Sequence, residues 1–371
     1  MVQRILNRVC ARASCKAEWP LLLGVLVVLL SHPALFAERK KPSAGVPAPP
    51  DLLMDGGRKL SFERTLASER DIRGKPGFWK KLVDVVAGEP ELKRMVRPYG
   101  VAVDSRGRVI VTDPGLGGIH IFDVEQHKYK FLERRDKSKD SMLQPQCIAL
   151  DASDNIYVTD SQAGKVFVFE PGGKYKGVFG SLKGGEGYFK RPTGIAIDRE
   201  THQIYVTDTL RDRVFILDAN GQVLKSFGQH GEQNGEFNLP TELMIRNGVI
   251  AVVDAMNFRI QTFDRKGEFQ SAFGNAGDSD DSLFRPKGIG LDSENHIYLV
   301  EGLSSTVRVF DRAGQLLYFF GKRGRGLGEF QLPSGLFIDQ NDKIYVVDSY
   351  NRRVQVFQYH GVKLSAQGAK P

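Results

Sequence analysis

The sequence predicts an all-β fold, a six-bladed β-propeller built from four-stranded antiparallel blades. Prolines recur at a nearly constant interval along most of the 371 residues, and each is followed by a similar succession of short apolar runs. The last unit lacks its fourth run, whereas a comparable run precedes the first unit. A repeat of this period whose missing piece lies at the other end of the chain is typical of a closed ring of blades.

The repeat is marked by six prolines spaced 46 to 48 residues apart: Pro98, Pro145, Pro192, Pro240, Pro286 and Pro333. In the third unit the proline begins Pro-Thr-Gly-Ile-Ala-Ile-Asp, followed by Ile-Tyr-Val-Thr-Asp at 204–208 and Arg-Val-Phe-Ile-Leu at 213–217. Such runs, rich in β-branched and aromatic residues and bounded by Asp, Asn or Gly, indicate strands joined by hairpin turns. A fourth run ending in Phe-Gly, as at 222–228, completes most units as four-stranded blades.

The last blade needs an outer strand from elsewhere in the chain, because the residues after Phe357 lack a Phe-Gly ending. Lys-Leu-Val-Asp-Val-Val-Ala at 81–87, followed by Gly88, supplies a matching run, so we expect about residues 81–87 to close the ring. Closure removes the open sheet edges that favour aggregation. Residues 361–365 are the alternative closing strand. The weak alternation of residues 59–66 predicts one extra strand on the outside of the domain.

The repeated text resembles the NHL repeat, whose pattern is roughly Pro-x-Gly-Ile-Ala-x-Asp, then Ile-Tyr-Val-x-Asp, then Arg-Val-Gln-Val-Phe. The resemblance covers all six units, about residues 79–358, and suggests a bacterial exported NHL-repeat protein. It implies a six-bladed propeller used for recognition, since animal TRIM-NHL proteins use theirs for RNA or protein partners. The sequence shows no RING or coiled-coil pattern, so ubiquitin ligation is not implied.

Residues 1–37 have the features of a secretory signal: basic residues, a run of apolar residues at 21–30, and a small-residue exit. Taken as one segment, residues 19–37 would instead form an uncleaved membrane anchor. Residues 38–78 are predicted to be a Pro-rich linker containing the extra strand, residues 79–358 the propeller and residues 359–371 a C-terminal tail. We therefore expect an exported protein, either periplasmic or anchored in the cytoplasmic membrane and facing outward.

The charge balance favours anionic partners, since the formal net charge is +8 and the isoelectric point is near 9.2. An exported protein would not encounter cellular RNA, so we expect the partner to be a protein or an anionic glycan. We expect the propeller to be monomeric. An RNA-binding NHL propeller is the alternative if the chain is cytosolic. Cys147 is the sole cysteine after residue 37, which excludes an intramolecular disulfide within the propeller. Its apolar neighbours predict a buried thiol.

Basic and aromatic residues gather in the inter-blade loops and in the loops between second and third strands, which share one face of a propeller. Cations interleaved with aromatic rings suit anionic ligands. In the fourth unit Glu242 stands where most units have Gly, at the start of the innermost strand and near the central channel, and Cys147 does so in the second. The candidate binding residues are Arg97, Tyr99, Arg191, Arg211, Glu242, Phe258, Arg285, Lys287, Arg323, Arg325, Tyr350 and Arg352.

A recurrent acid and base are predicted to be structural. An acid ends the second strand and a base follows five residues later, as in the pairs Asp208 and Arg213, Asp254 and Arg259, and Asp348 and Arg353. Such an acid can accept backbone N–H groups in the turn while it faces the basic side chain.

Catalytic signatures are missing from the sequence, which contains no Gly-x-Ser-x-Gly elbow, no Cys-x-x-Cys and no phosphate-binding loop. The zinc site of a peptide-amidating-type lyase requires several histidines that converge on the channel. On the predicted strands the histidines of this sequence do not converge. Glu242, Asp254 and Asn257 suit a lactonase-like cation site but lack a partner set in a second blade. We therefore expect a non-enzymatic binding or scaffold propeller without a metal or cofactor. The alternative is a metal-dependent lactonase-like hydrolase or an amidating-type lyase.

Overall fold

The computed structural model of the protein describes residues 48–54, 57–72, 93–134, 140–180, 188–277 and 282–361. Within these ranges there is one short 3-10 helix, Glu69–Asp71, and the remaining regular structure is β. The strands are β1 (Leu52–Leu53), β2 (Lys59–Leu66), β3 (Val101–Val103), β4 (Val109–Asp113), β5 (Gly118–Asp123), β6 (Lys128–Glu133), β7 (Pro145–Leu150), β8 (Ile156–Asp160), β9 (Lys165–Phe169), β10 (Tyr175–Phe179), β11 (Pro192–Ile197), β12 (Ile204–Asp208), β13 (Arg213–Leu217), β14 (Val223–Phe227), β15 (Pro240–Arg246), β16 (Val249–Asp254), β17 (Arg259–Phe263), β18 (Phe269–Phe273), β19 (Pro286–Leu291), β20 (Ile297–Glu301), β21 (Thr306–Phe310), β22 (Leu316–Phe320), β23 (Leu336–Ile338), β24 (Lys343–Asp348) and β25 (Arg353–His360).

The strands form six antiparallel sheets, and each sheet is one blade. Blades 1 to 5 contain four consecutive strands each, from β3–β6 to β19–β22, whereas blade 6 has the order β1-β2-β25-β24-β23. The first strand of each blade contacts the first strand of the next, and β23 contacts β3. The innermost strands therefore form a closed ring, which confirms the predicted six-bladed propeller.

Blade 6 is closed by an N-terminal strand, as predicted, but the strand lies earlier in the chain than residues 81–87. Antiparallel to β25, β2 pairs Lys59 with His360 and Leu66 with Val354. Residues 59–66, expected to be an extra strand, thus occupy the outer position that the sequence had assigned to residues 81–87. The latter, like residues 362–365 of the alternative closing strand, lie outside the described part of the chain.

A bulge explains why the alternation in β2 is weak. The register shifts between Phe62 and Arg64, and an extra residue in one strand reverses which side chains face each side of the sheet. Before the bulge, Leu60 packs with the apolar cluster between blades 5 and 6. After it, Leu66 packs with the cluster between blades 6 and 1. One short strand thus contributes to two inter-blade cores.

Six apolar clusters, each shared by two neighbouring blades, make up the core. Burial of these side chains supplies the main driving force for association of the blades. No helix in the described ranges is long and apolar enough to cross a membrane; residues 1–37, with their predicted signal or anchor, lie outside those ranges.

The role of β2 in closing the ring predicts that Leu66→Ala destabilises the whole propeller. Leu66 is 1% exposed, and truncating a buried leucine costs about 2–5 kcal/mol. Leu53→Ala is the matched control, because Leu53 is 75% exposed and should change the stability by less than about 0.5 kcal/mol. Urea unfolding followed by fluorescence measures both. Equal stability of the two variants would contradict closure by β2.

Candidate binding site at the channel mouth

A fully buried carboxylate ends the second strand of every blade. Each one accepts the backbone N–H of the residue two positions before the repeat proline. The carboxylate therefore ties the entry of the innermost strand to the end of the second strand. The six residues are Asp113, Asp160, Asp208, Asp254, Glu301 and Asp348.

In blades 1, 2, 3 and 5 the carboxylate also accepts the N–H of the residue directly before the proline. In blade 3, Asp208 lies 2.6 Å from the nitrogen of Lys190 and 2.9 Å from that of Arg191. Two charge-assisted bonds to consecutive backbone amides fix the orientation of this short segment. In these four blades the residue before the proline is held at the rim of the central channel.

Blades 4 and 6 are built differently, because Leu239 and Leu332 precede their prolines in a left-handed conformation, with φ of 52° and 46°. Each carboxylate then accepts one backbone N–H of the entry segment, and a side chain occupies its other oxygen. Arg259 lies 2.8 Å from Asp254, and Arg353 makes the corresponding bond to the acid of blade 6 at 2.7 Å. Two of the three predicted acid-base pairs are thus direct ion pairs.

The third pair, Asp208 and Arg213, faces across neighbouring strands in register but has no direct ion pair among the contacts of the described residues. Both oxygens of Asp208 already accept backbone N–H groups. The nearest cation is Arg211, whose Nε lies 3.6 Å from Asp208. Arg213 instead reaches Ser226, at 3.5 Å. In blade 3 the backbone N–H groups of the inter-blade loop, and not Arg213, are therefore the partners of the Asp208 carboxylate.

At the centre of the ring, a cavity of about 400 Å³ opens between the strand entries. Most of its lining residues lie next to a repeat proline in the sequence. Residues directly before the prolines line it: Arg97, Gln144, Arg191, Arg285 and Leu332. Residues directly after the prolines line it too: Tyr99, Gln146, Lys287 and Ser334. The amino group of Lys287 lies 5.4 Å from the centre of the Tyr99 ring.

Glu242 and Cys147, which are both buried, contact each other. The thiol of Cys147 donates to Oε1 of Glu242 at 3.4 Å, which joins blade 2 to blade 4. The intervening blade has Gly194 at the same position, where a Cβ would lie 2.6 Å from the carbonyl oxygen of Thr241. The two departures from the repeat glycine thus form one buried contact near the channel.

Burial is the main cause of the pKa shifts of Glu242, Cys147 and Lys287. It raises the pKa of Glu242 to about 7, although the Cys147 thiol and Lys287 favour the charged carboxylate. It also raises the pKa of the Cys147 thiol well above its usual value, with Glu242 adding to the effect. The pKa of Lys287 is lowered, first by burial and then by repulsion from Arg285. Cys147 is therefore a neutral thiol and not an activated nucleophile.

Five of the twelve predicted binding residues line the cavity: Arg97, Tyr99, Arg191, Arg285 and Lys287. Glu242 is absent from the lining and contacts Cys147 instead. The other six do not line the cavity: Arg211, Phe258, Arg323, Arg325, Tyr350 and Arg352. Of these, Phe258 packs against the core between blades 4 and 5, and Tyr350 is exposed on the surface.

Three polar lining residues, Gln144, Gln146 and Ser334, were not among the predicted binding residues. Their signal was present, since they occupy the same positions next to a repeat proline as Arg191 and Lys287 do. A comparison of the six units at these two positions would have found all of them.

The described residues contain no cluster of three or more His, Cys, Asp or Glu side chains that could hold a metal ion. Asp254 and Asn257, weighed above as cation ligands together with Glu242, belong to the carboxylate network of blade 4. Nδ2 of Asn257 donates to Asp254 at 2.9 Å, and Arg259 binds the same oxygen. These side chains therefore stabilise the turn at the end of β16.

Comparison with known families finds one match over more than half of the chain. A sequence profile described as a 6-bladed beta-propeller matches residues 137–209, 200–274 and 279–367. None of the curated proteins matches the sequence significantly.

Solved structures share the fold at low sequence identity. A gluconolactonase from Xanthomonas campestris is 15% identical with a TM-score of 0.55, over 85% of this chain and 99% of that one. An auxiliary nutrient binding protein from Bacteroides thetaiotaomicron is 12% identical with a TM-score of 0.56, over 72% and 70%. A virginiamycin B lyase from Staphylococcus aureus is 14% identical with a TM-score of 0.52, over 81% and 99%. At these identities the likeness shows the fold alone.

The burial of Glu242 predicts a specific dependence of stability on pH. The pKa of about 7 in the folded protein exceeds the ordinary value of 4.5, so the unfolded chain releases this proton at lower pH than the folded one. Stability contributed by this group should fall as the pH rises from about 4.5 to 7. The side chain of Glu242→Gln cannot ionise, so this variant should not lose stability in this way. The difference in unfolding free energy between the variant and the wild type should therefore shift by about 3 kcal/mol in favour of the variant from pH 4.5 to pH 8.

Unfolding in urea at a series of pH values measures this gain. Glu268→Gln serves as the control, since that side chain is exposed and its substitution should shift stability by less than about 0.5 kcal/mol at every pH. Parallel profiles for wild type and Glu242→Gln would contradict the buried position of the carboxylate.

Proposed function

The chain belongs to the family of six-bladed β-propellers, and from that premise we propose that it is a non-enzymatic recognition protein. It binds an anionic protein or glycan through its basic loop face, and the mouth of the central channel is the binding site. The fold does not determine the function, because propellers host many activities. The lyase, the gluconolactonase and the nutrient binding protein that share it illustrate the range.

One observation carries the proposal: four cationic side chains line a single concave cavity of about 400 Å³. Arg97, Arg191 and Arg285 come from blades 1, 3 and 5, and Lys287 also comes from blade 5. A concave site lined by one sign of charge concentrates ligands of the opposite sign. The neighbouring glutamines and serines offer hydrogen bonds that orient a polar ligand, as small-molecule and glycan sites usually require.

The polar groups around the cavity support binding over catalysis. Cys147, the sole cysteine of the propeller, is held neutral by burial and by the neighbouring Glu242. Glu242 itself is buried and pairs with that thiol. Side chains at the rim can bind and orient an anion, and none of them is arranged as a nucleophile with an adjacent base.

We also propose that the protein acts outside the cytoplasm as a monomeric member of the NHL-repeat propellers. The basic and apolar pattern of residues 1–37 supports export or anchoring. An extracytoplasmic location supports protein or glycan partners over RNA.

The binding proposal predicts that the full-length chain, purified in detergent, binds immobilised polygalacturonate or polyglutamate and not neutral dextran. The double variant Arg191→Gln/Arg285→Gln should weaken binding about 100-fold, since each lost charge-assisted hydrogen bond costs about 1.5 kcal/mol or more. Biolayer interferometry at constant ionic strength measures the change.

The matched control is Arg323→Gln/Arg325→Gln, which removes the same charge from exposed loop residues outside the cavity. It should weaken binding less than about threefold. Equal losses for both double variants would mean a diffuse basic surface and would overturn the channel-mouth site.

The proposed location predicts that a C-terminally tagged chain fractionates with the periplasm or the cytoplasmic membrane. N-terminal sequencing of the mature protein should give a start near Glu38 if the signal is cleaved, or residue 1 in the membrane fraction if it is an anchor. A soluble cytosolic protein with an intact N-terminus would contradict the proposal and favour the RNA-binding alternative.

A further inference from the structure

The three arginines at the channel mouth occupy alternate blades. Arg97, Arg191 and Arg285 directly precede the repeat prolines of blades 1, 3 and 5. The same position holds Gln144, Leu239 and Leu332 in blades 2, 4 and 6. Blades of a six-membered ring are about 60° apart around its axis, so alternate blades are about 120° apart. The three arginines therefore stand at positions related by approximate threefold symmetry around the axis.

Each arginine is anchored through its backbone, while its side chain remains available. The N–H groups of Arg97, Arg191 and Arg285 donate to the buried carboxylates of their own blades at 3.0, 2.9 and 3.1 Å. None of the three guanidinium groups has a hydrogen bond or an ion pair within the described ranges. By contrast, Arg259 and Arg353 are fully engaged with acids and carbonyl groups.

The charges around the cavity act on one another. Repulsion from Arg285 and Arg191 adds to burial in lowering the pKa of Lys287. The same two arginines oppose the rise that burial causes in the pKa of Tyr99, a residue of blade 1. Their fields therefore overlap across the channel. Binding an anion on the axis relieves this repulsion and at the same time satisfies several guanidinium donors.

Resting on the proposed function, we propose that the channel mouth binds a tetrahedral oxyanion, the terminal sulfate or phosphate monoester of a sugar. Three of its oxygens face the arginines of blades 1, 3 and 5. The fourth, ester oxygen points out of the channel along the axis and carries the sugar.

The threefold arrangement favours a tetrahedral group over a carboxylate. A carboxylate offers two oxygens in one plane, which a single guanidinium already satisfies in a bidentate pair. A sulfate or phosphate ester offers three terminal oxygens related by a threefold axis, so each arginine can bind one. The side-chain amide of Gln146, which has no hydrogen bond within the described residues, lies beside them and can bind a sugar hydroxyl.

The test uses isothermal titration calorimetry on the full-length chain with four probes at equal ionic strength: glucose 6-sulfate, glucose 6-phosphate, glucuronate and glucose. Either ester should bind at least about tenfold more tightly than glucuronate, and glucose should not bind detectably. The tighter of the two esters identifies which oxyanion the site prefers.

The variants Arg97→Gln, Arg191→Gln and Arg285→Gln should each weaken ester binding by about tenfold or more, and by similar factors, because symmetry gives the three side chains equivalent roles. Arg191→Lys keeps the charge and loses the planar fork, so it should fall between wild type and Arg191→Gln. Arg312→Gln, with the same loss of charge at an exposed residue outside the cavity, should leave the affinity unchanged within about twofold.

Glucuronate binding as tight as the esters would overturn the tetrahedral site while leaving an anion-binding mouth intact. Loss of affinity in one arginine variant and not in the other two would also overturn it. Failure of both esters to bind, in a preparation that still binds polygalacturonate through Arg191 and Arg285, would reject this inference and retain the proposed function. Failure with every anionic probe and polymer would reject both.

Discussion

A buried carboxylate at the end of each second strand is the interaction on which the rest of the propeller depends. Ionised groups are costly to bury unless hydrogen bonds compensate them, and here the compensation comes from the backbone that enters the same blade. At Asp113 burial raises the pKa, but hydrogen bonds from His120, Val96 and Arg97 outweigh this and lower it below its usual value. At Asp160, Glu301 and Asp348 burial outweighs the hydrogen bonds, and the pKa is raised. The bond that stabilises the carboxylate therefore also fixes the strand entry.

Because the strand entries surround the channel, the carboxylates fix which backbone positions line it. Where both oxygens bind backbone amides, as at Asp208, the residue before the proline is Arg191 and its side chain reaches the cavity. Where an arginine pairs with the acid, as in blades 4 and 6, that residue is a leucine in the left-handed region. The leucines thus accompany the side-chain solution to this electrostatic problem, whereas the backbone solution occurs with arginine in blades 1, 3 and 5 and with Gln144 in blade 2.

Much of the fold could be predicted from the sequence, because the strands of each blade correspond to a local pattern that repeats along the chain. The strand order, the six blades and the closed ring follow from the proline register. The closing strand was placed wrongly, since the bulge after Phe62 hides the alternation of β2, whereas residues 81–87 match the expected period better. The contact between Cys147 and Glu242 could not be predicted either, since it depends on how blades 2 and 4 approach each other across Gly194. Asp208 faces Arg213, but backbone amides occupy both of its oxygens, and the sequence carries no sign of this competition.

The central claim is that three arginines, fixed through their backbones by buried carboxylates, converge on one anion at the channel mouth. A crystal structure of the protein grown with selenate, whose selenium scatters anomalously, tests this most directly. The account predicts an anomalous peak on the channel axis, with selenate oxygens within hydrogen-bond distance of Arg97, Arg191 and Arg285. Selenate found solely at surface lysines, with the three guanidinium groups directed away from the axis, would contradict it.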